Sequence, residues 1–118
     1  MRTYVIEPQQ IFVPSLLQLL QKTGLSIVRV RNVLEPPDVL GVQPQLLFCD
    51  DDIVAAETMR ALRFLLDAMP QLSVCLYSRS TSRELSRNEA PQTRLLHLEK
   101  SASYDVLAST IGSFVTSQ

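Results

Sequence analysis

Residues 45–52 constrain the fold of this chain more than any other stretch. Their sequence is an apolar run that ends in three consecutive carboxylates, Asp50, Asp51 and Asp52. A continuous apolar run of this length is typical of a strand buried on both faces of a parallel sheet. In open α/β sheets, functional sites lie at the carboxyl ends of the strands. We therefore expect Asp50 to reach a crevice, as a nucleophile, a metal ligand or a helix cap.

Length and composition indicate one globular domain. The chain has 118 residues, 46% of them hydrophobic and 19% charged, with a formal net charge of −1. This balance provides no basic surface for nucleic acid. Cys49 and Cys75 lie in apolar runs, which favours reduced core cysteines in a cytoplasmic protein. No stretch approaches the length of a membrane span, and Glu7 comes too early for a signal peptide.

Short apolar runs alternate with helical patterns along the whole chain. We predict strands over residues 3–6, 26–31, 46–50, 72–77 and 95–98. We predict a first helix that starts near Val13 and ends before Gly24, helices over residues 37–42 and 55–69, and a last helix that follows Ser103. A further short or irregular helix is expected within residues 79–93. The prolines around residues 36–44 keep the second helix short as well. Such alternation implies a three-layer α/β fold with a five-stranded parallel sheet and about five helices.

The apolar positions of two helices indicate which faces are buried. The first helix is expected to bury Val13, Leu16, Leu17 and Leu20. The last helix is expected to be capped by Ser103 and to bury Leu107, Ile111, Phe114 and Val115. In contrast, Leu85 is the only large apolar residue of segment 79–93, so we expect that segment to be mobile.

Polar side chains follow four of the predicted strands. Glu7, Asp50, Ser78 and Lys100 each stand where a strand ends. Taken singly, they could be solvated loop residues, a turn former and a helix cap. Because the carboxyl ends of parallel strands share one edge of the sheet, we expect them to form a common pocket.

In this order and spacing the chain resembles a response-regulator receiver domain over its full length, and it is most similar to the LuxR/NarL type. Asp50, Ser78 and Lys100 match the phospho-accepting Asp, the hydroxyl residue and the Lys of that family. Residues 100–103, Lys-Ser-Ala-Ser, resemble the entry to the last helix of NarL-like receivers. The resemblance implies the flavodoxin/CheY-like topology. Asp51 and Asp52 would belong to the same pocket.

The chain also departs from the family pattern. Pro8 replaces the second acid, which that family uses as a Mg²⁺ ligand. His97 occupies the position of the family's switch aromatic, and we expect it to be a half-buried strand residue. Mg²⁺ usually takes one or two carboxylates from a protein, so losing one damages the site. We therefore expect no cofactor, with only weak Mg²⁺ binding at Glu7 and Asp50 left open.

Three functions remain in competition. The first is a non-enzymatic, atypical receiver of a bacterial two-component-type signalling or transcription regulator, which acts by protein contact. The second is a working receiver phosphorylated on Asp50. The third is a small flavodoxin-like nucleotide- or cofactor-binding protein, although the chain has three glycines and no glycine-rich loop after a strand.

The resemblance also implies partners. Receivers contact proteins through their fourth helix, fifth strand and fifth helix, which here correspond to the segment from Thr81 to Ser117. We expect a protein partner or a homodimer on that face, with Leu85, Tyr104 and Val106 as interface residues. A DNA-binding output domain is expected beyond Gln118 if the chain belongs to a transcription regulator; otherwise it would be a stand-alone adaptor. Neither a membrane nor nucleic acid is expected to bind this domain directly.

Overall fold

The computed structural model describes residues 1–51, 56–79 and 94–118. Its strands are β1 Arg2–Ile6, β2 Ser26–Arg31, β3 Leu46–Asp50, β4 Ser73–Ser78 and β5 Leu95–Glu99. Its helices are α1 Val13–Lys22, α2 Pro36–Val42, α3 Ala56–Ala68 and α4 Tyr104–Thr116, with a 3-10 turn at Gln10–Phe12. The further helix expected within 79–93 lies almost entirely outside the described residues. No helix in the described ranges is long and apolar enough to cross a membrane.

The strands form one parallel sheet in the order β2-β1-β3-β4-β5. This arrangement confirms the predicted five-stranded parallel α/β fold and places β2 at an edge. β3 lies at the centre, between β1 and β4, and all five of its residues are buried. Its side chains alternate between two cores: Leu47 and Cys49 face one, and Leu46 and Phe48 face the other. The apolar run of β3 therefore fills both layers, as its sequence predicts.

Within residues 1–51, 56–79 and 94–118, two helices pack on each face of the sheet. Residues of α2 and α3, including Val39 and Leu62, pack into the core on the Leu47 side. Residues of α1 and α4, including Leu20 and Ile111, pack into the core on the Phe48 side. Cys75 lies in this second core and, like Cys49, is a buried free cysteine.

The prediction of which α1 residues are buried is partly wrong. The buried residues of α1 are Leu16, Leu19 and Leu20, whereas Leu17 is only partly buried. The helix is rotated slightly from the expected stripe, because Leu16, Leu19 and Leu20 also recur at helical spacing. In α4, Leu107 and Ile111 are buried as expected, and Phe114 and Val115 lie at the margin of the core.

Side-chain hydrogen bonds join α2 to the sheet and cap the start of α4. The Tyr4 hydroxyl donates to Asp38 Oδ2 at 2.5 Å, and Arg29 pairs with Asp38 Oδ1 at 2.7 Å, so α2 is joined to β1 and β2. The Ser103 hydroxyl accepts from the Val106 amide at 3.3 Å and caps α4, as the sequence predicts.

Candidate functional site

The backbone carries the polar residues to the carboxyl edge of the sheet. Beyond the strands, the sheet hydrogen bonding continues by one residue: the Glu7 amide donates to Arg31 O at 2.9 Å. The Asp51 amide donates to Tyr77 O and the Lys100 amide to Ser78 O, both at 3.0 Å. These bonds fix the residues that follow β1, β3 and β5. The site therefore rests on sheet backbone rather than on freely placed loops.

An ion pair lies at the centre of this edge. Lys100 Nζ contacts Asp50 Oδ1, and the Asp50 side chain is only 5% exposed. Lys100 Nζ is also 5.2 Å from the centre of the Tyr77 ring. Two of the residues expected to share a pocket at this edge are therefore in direct contact. A buried carboxylate needs such a partner, because desolvation without compensation is costly.

Glu7 adds a second buried carboxyl to the pocket. Its side chain is hydrogen-bonded to Asp50, and the Gln9 amide donates to Glu7 Oε2 at 3.1 Å. Burial, followed by the hydrogen bond to Asp50, raises the pKa of Glu7 to about 7, against the opposing effects of the Gln9 amide and Lys100. Near neutral pH, Glu7 therefore holds a proton part of the time, which lets two carboxyl groups share one lysine.

Ser78 and His97 form a pair that the sequence reasoning missed. Ser78 Oγ lies 2.7 Å from His97 Nε2, and Ser78 is completely buried. Burial lowers the pKa of His97, and the nearby Glu99 charge opposes this effect in part. The register pairs Leu76 with His97, so Ser78, two residues further along β4, lies on the same face. Same-face spacing on adjacent strands was the available signal for this contact.

The remaining pocket acids are placed unequally. Asp51 Oδ2 accepts a hydrogen bond of 2.9 Å from Thr58 Oγ1, which joins the end of β3 to α3. Asp52 lies outside the described residues. In the described part of the chain, no group of three or more Asp, Glu, His or Cys side chains is placed to hold a metal ion. Pro8, next to Glu7, adds no side-chain oxygen to these described acids.

A groove opens from this pocket between α1 and α4. Its volume is about 1190 Å³, and it runs from the ion pair past Leu16 and Leu19 on α1 to Tyr104 and Leu107 on α4. Phe12, 53% exposed, stands on its lining. The groove was not predicted, because Phe12 belongs to a 3-10 turn outside the regular apolar pattern.

The expected interface residues fall in different places. Leu85 lies outside the described residues. Tyr104 and Val106 are 44% and 55% exposed, respectively. Tyr104 lines the groove beside α1 and lies 5.4 Å from Lys22 Nζ, whereas Val106 is about 200° further around the helix. The two side chains therefore face different sides of α4 instead of sharing one surface.

Comparison with known proteins gives a clear answer for the fold. No protein-family profile matches the chain. No curated protein matches it in sequence. Among solved structures, a response regulator from Thermotoga maritima superposes with a TM-score of 0.74 at 17% identity, covering 98% of this chain and 97% of that one.

Two further structures extend the comparison. A LuxR-family DNA-binding response regulator from Staphylococcus aureus gives a TM-score of 0.71 at 14% identity, covering 96% of this chain and 97% of that one. The isolated REC domain of RcsB from Salmonella enterica serovar Typhimurium, determined with phosphomimetic BeF3−, gives 0.74 at 10% identity, covering 98% and 88%. The chain therefore has the fold of response-regulator receiver domains, including LuxR-type ones.

Proposed function

We propose that this chain is an atypical receiver domain of a bacterial two-component-type signalling or transcription regulator. It acts by protein contact, without catalysis of its own and independently of conventional Mg²⁺-dependent phosphorylation. The receiver fold supports the class of function, since the structures that share it include response regulators of several bacteria. The pocket supports the atypical behaviour.

The observation that carries this proposal is the self-contained charge balance of the pocket. Lys100 pairs with Asp50, and Glu7 is hydrogen-bonded to Asp50 while its pKa is raised to about 7 by burial. The Lys100 ammonium group balances the charge of Asp50, and the proton that Glu7 holds part of the time removes the second negative charge. Pro8 stands where the resemblance places a metal-binding acid. A divalent cation would have to displace both the proton and Lys100 from the carboxyls, so its binding is weakened.

The hydroxyl that receivers carry on the fourth strand is engaged as well. Ser78 is fully buried and bonded to His97, the residue at the switch position. In a domain that works through this hydroxyl, its release from His97 would be required first. A fixed Ser78–His97 pair instead suits a domain that keeps a single conformation and serves as a binding module.

The partner surface that we propose includes the exposed side of α4 around Val106, within residues 81–117. An exposed valine on a helix that is otherwise anchored in the core is suited to a protein interface or an isologous homodimer. A DNA-binding output domain, if one follows Gln118, would be attached at the other end of the same helix from Val106. Direct binding of nucleic acid by the domain itself is not part of the proposal.

A second candidate function is a working receiver that takes phosphate on Asp50. It is favoured by Asp51, whose carboxylate lines the same groove as Asp50 and could replace the missing acid. One experiment separates the two. The protein is incubated with acetyl phosphate with and without Mg²⁺, and phosphoryl adducts are measured by intact mass, with Asp50→Asn as the control.

We expect no adduct on the wild type and Mg²⁺ affinity weaker than about millimolar by calorimetry. Pro8→Asp should strengthen Mg²⁺ binding, because it returns a carboxylate next to Glu7. A Mg²⁺-dependent adduct that disappears in Asp50→Asn would establish the working receiver and overturn the atypical one.

A further inference from the structure

The surface around the 3-10 turn and α1 carries no charge. Residues 8–21 include no Asp, Glu, Lys, Arg or His, although 19% of the chain is charged. The exposed residues of this stretch are Ile11, Phe12 and otherwise only glutamines, prolines and one serine. We call this surface, formed by the exposed side chains of residues 8–21, the α1 face. Because it has no charge, it does not select a charged partner such as nucleic acid.

Ile11 projects from the α1 face into solvent. At 80% exposure it is the most exposed large hydrophobic side chain in the described part of the chain. Phe12, the next residue of the 3-10 turn, is 53% exposed and lines the groove between α1 and α4, whereas Ile11 stands outside that lining. Scattered apolar residues are common on protein surfaces, but adjacent ones beside an apolar groove indicate an interaction site.

The groove beside this turn is a recess that can accept side chains from another molecule. Leu16, Leu19 and Leu107 line it with apolar surface. Its volume of about 1190 Å³ is slightly above the range of about 300–1000 Å³ that is typical of small-molecule sites. The α1 face therefore carries an apolar projection and an apolar recess next to each other.

We propose that the α1 face is an interface at which two copies of this chain pair about a two-fold axis. Ile11 of each copy enters the groove of the other, so both projections and both recesses are satisfied at once, as an isologous contact requires. A charged patch at such a contact would meet like charge, and residues 8–21 avoid this repulsion. Their glutamine amides both donate and accept hydrogen bonds, so they can pair with glutamines of the second copy.

This interface is separate from the partner surface around Val106. Tyr104 lines the groove, whereas Val106 lies on another side of α4, so the inference does not rest on the proposed function. The α1 face has fewer exposed residues than the about 20–30 a side of a standard interface. We therefore expect a weak dimer, with a Kd on the order of 100 μM.

Sedimentation velocity of the full chain, at concentrations on either side of that Kd, tests the interface with three variants of equal charge. Ile11→Asp should weaken dimerisation at least about tenfold, because it removes two apolar contacts and brings two carboxylates to the grooves. Val33→Asp and Val106→Asp, at valines that are 52% and 55% exposed, make the same charge change elsewhere and should leave the Kd unchanged. Because Ile11 is exposed, its variant should keep the wild-type urea midpoint.

A paramagnetic label tests which residues meet. A nitroxide is attached to unlabelled Gln10→Cys protein, which is then mixed with ¹⁵N-labelled wild type. Cys49 and Cys75 are buried, so the nitroxide reacts with the introduced thiol. We expect it to broaden amide signals in α1 and at the start of α4. The same label on Phe64→Cys, in α3 on the other face of the sheet, should leave those amides sharp.

The proposal is overturned if the wild type remains a monomer well above the expected Kd, or if Ile11→Asp dimerises as the wild type does. It is equally overturned if either valine variant weakens the dimer as much as Ile11→Asp, or if the Phe64 label broadens α1 as strongly as the Gln10 label. Species larger than a dimer would also overturn it, because an isologous contact closes at two copies. A dimer lost only in Val106→Asp would support the proposed partner surface and overturn this one.

Discussion

Removing the ammonium group from the pocket should destabilise the fold in a pH-dependent way. In Lys100→Met, the buried Asp50 carboxylate loses its cation and keeps Glu7 beside it. Loss of one partner of a buried pair costs about 3–5 kcal/mol. Asp50 can escape part of that cost by taking up a proton, which at pH 7 costs a carboxyl of ordinary pKa about 4 kcal/mol. We therefore expect a loss of roughly 3–4 kcal/mol at pH 7.

The same argument sets the pH dependence. At pH 5, protonating an ordinary aspartate costs only about 1.5 kcal/mol, so the loss in Lys100→Met should shrink to about that value. The sign follows from linkage: a carboxyl that gains a proton on folding is favoured at low pH and disfavoured as the pH rises. Urea unfolding of wild type and variant at pH 5 and pH 7 measures the difference directly.

The chain offers one matched control, because its only other lysine is Lys22. Lys22 is an exposed residue of α1, and its Nζ lies 5.4 Å from the centre of the Tyr104 ring. Lys22→Met should cost less than about 1 kcal/mol and show no such pH dependence. If Lys100→Met costs no more than Lys22→Met at pH 7, the buried ion pair does not contribute to folding and the charge balance of the pocket has been misjudged.

Three further perturbations test separate parts of the site. Glu7→Gln should be more stable than wild type at pH 8.5 by roughly 2–3 kcal/mol. In urea unfolding, the wild-type free energy of unfolding should fall as the pH rises through about 7, and that fall should be smaller in Glu7→Gln. An unchanged pH profile would count against a buried, protonated Glu7. His97→Leu should cost about 1–3 kcal/mol by leaving the Ser78 hydroxyl without this bond, and adding Ser78→Ala should recover part of it; strictly additive losses would contradict the pairing. Arg94→Met should lower the free energy of unfolding in urea by a similar amount, because the Arg94 guanidinium donates to three backbone carbonyls around the end of α3. A loss below about 0.5 kcal/mol, as is usual for a surface substitution, would refute that role.

The sequence predicts the structure correctly wherever a residue pattern is compatible with only one arrangement of the chain. The apolar run of β3 can only be satisfied between two layers, and the alternation of elements then dictates a parallel sheet. The Asp50–Lys100 pair follows from two strand ends on one edge. Even the cap at Ser103 is a local rule that the structure obeys.

The features that were not predicted depend on the register between strands and on how the helices are rotated and spaced. The Ser78–His97 contact needs the exact pairing of β4 with β5, which no single strand reveals. The burial of Leu19 in place of Leu17 is a small rotation of α1, and several rotations satisfy the same leucine-rich sequence. The groove is a space between elements, so it depends on how far α1 and α4 stand apart rather than on any one residue.

The positions of the tyrosines give this protein a built-in optical reporter. The chain has three tyrosines, four weakly emitting phenylalanines and no tryptophan, so tyrosine dominates its intrinsic ultraviolet fluorescence. Tyr77 and Tyr104 both line the groove, one near Lys100 and the other beneath Lys22. Tyr4 is buried and donates to a carboxylate, an arrangement that quenches phenol emission. The tyrosine fluorescence of the domain therefore comes mainly from Tyr77 and Tyr104, which line the groove. A non-fluorescent molecule that binds in the groove would change this emission, so its binding could be measured without a label.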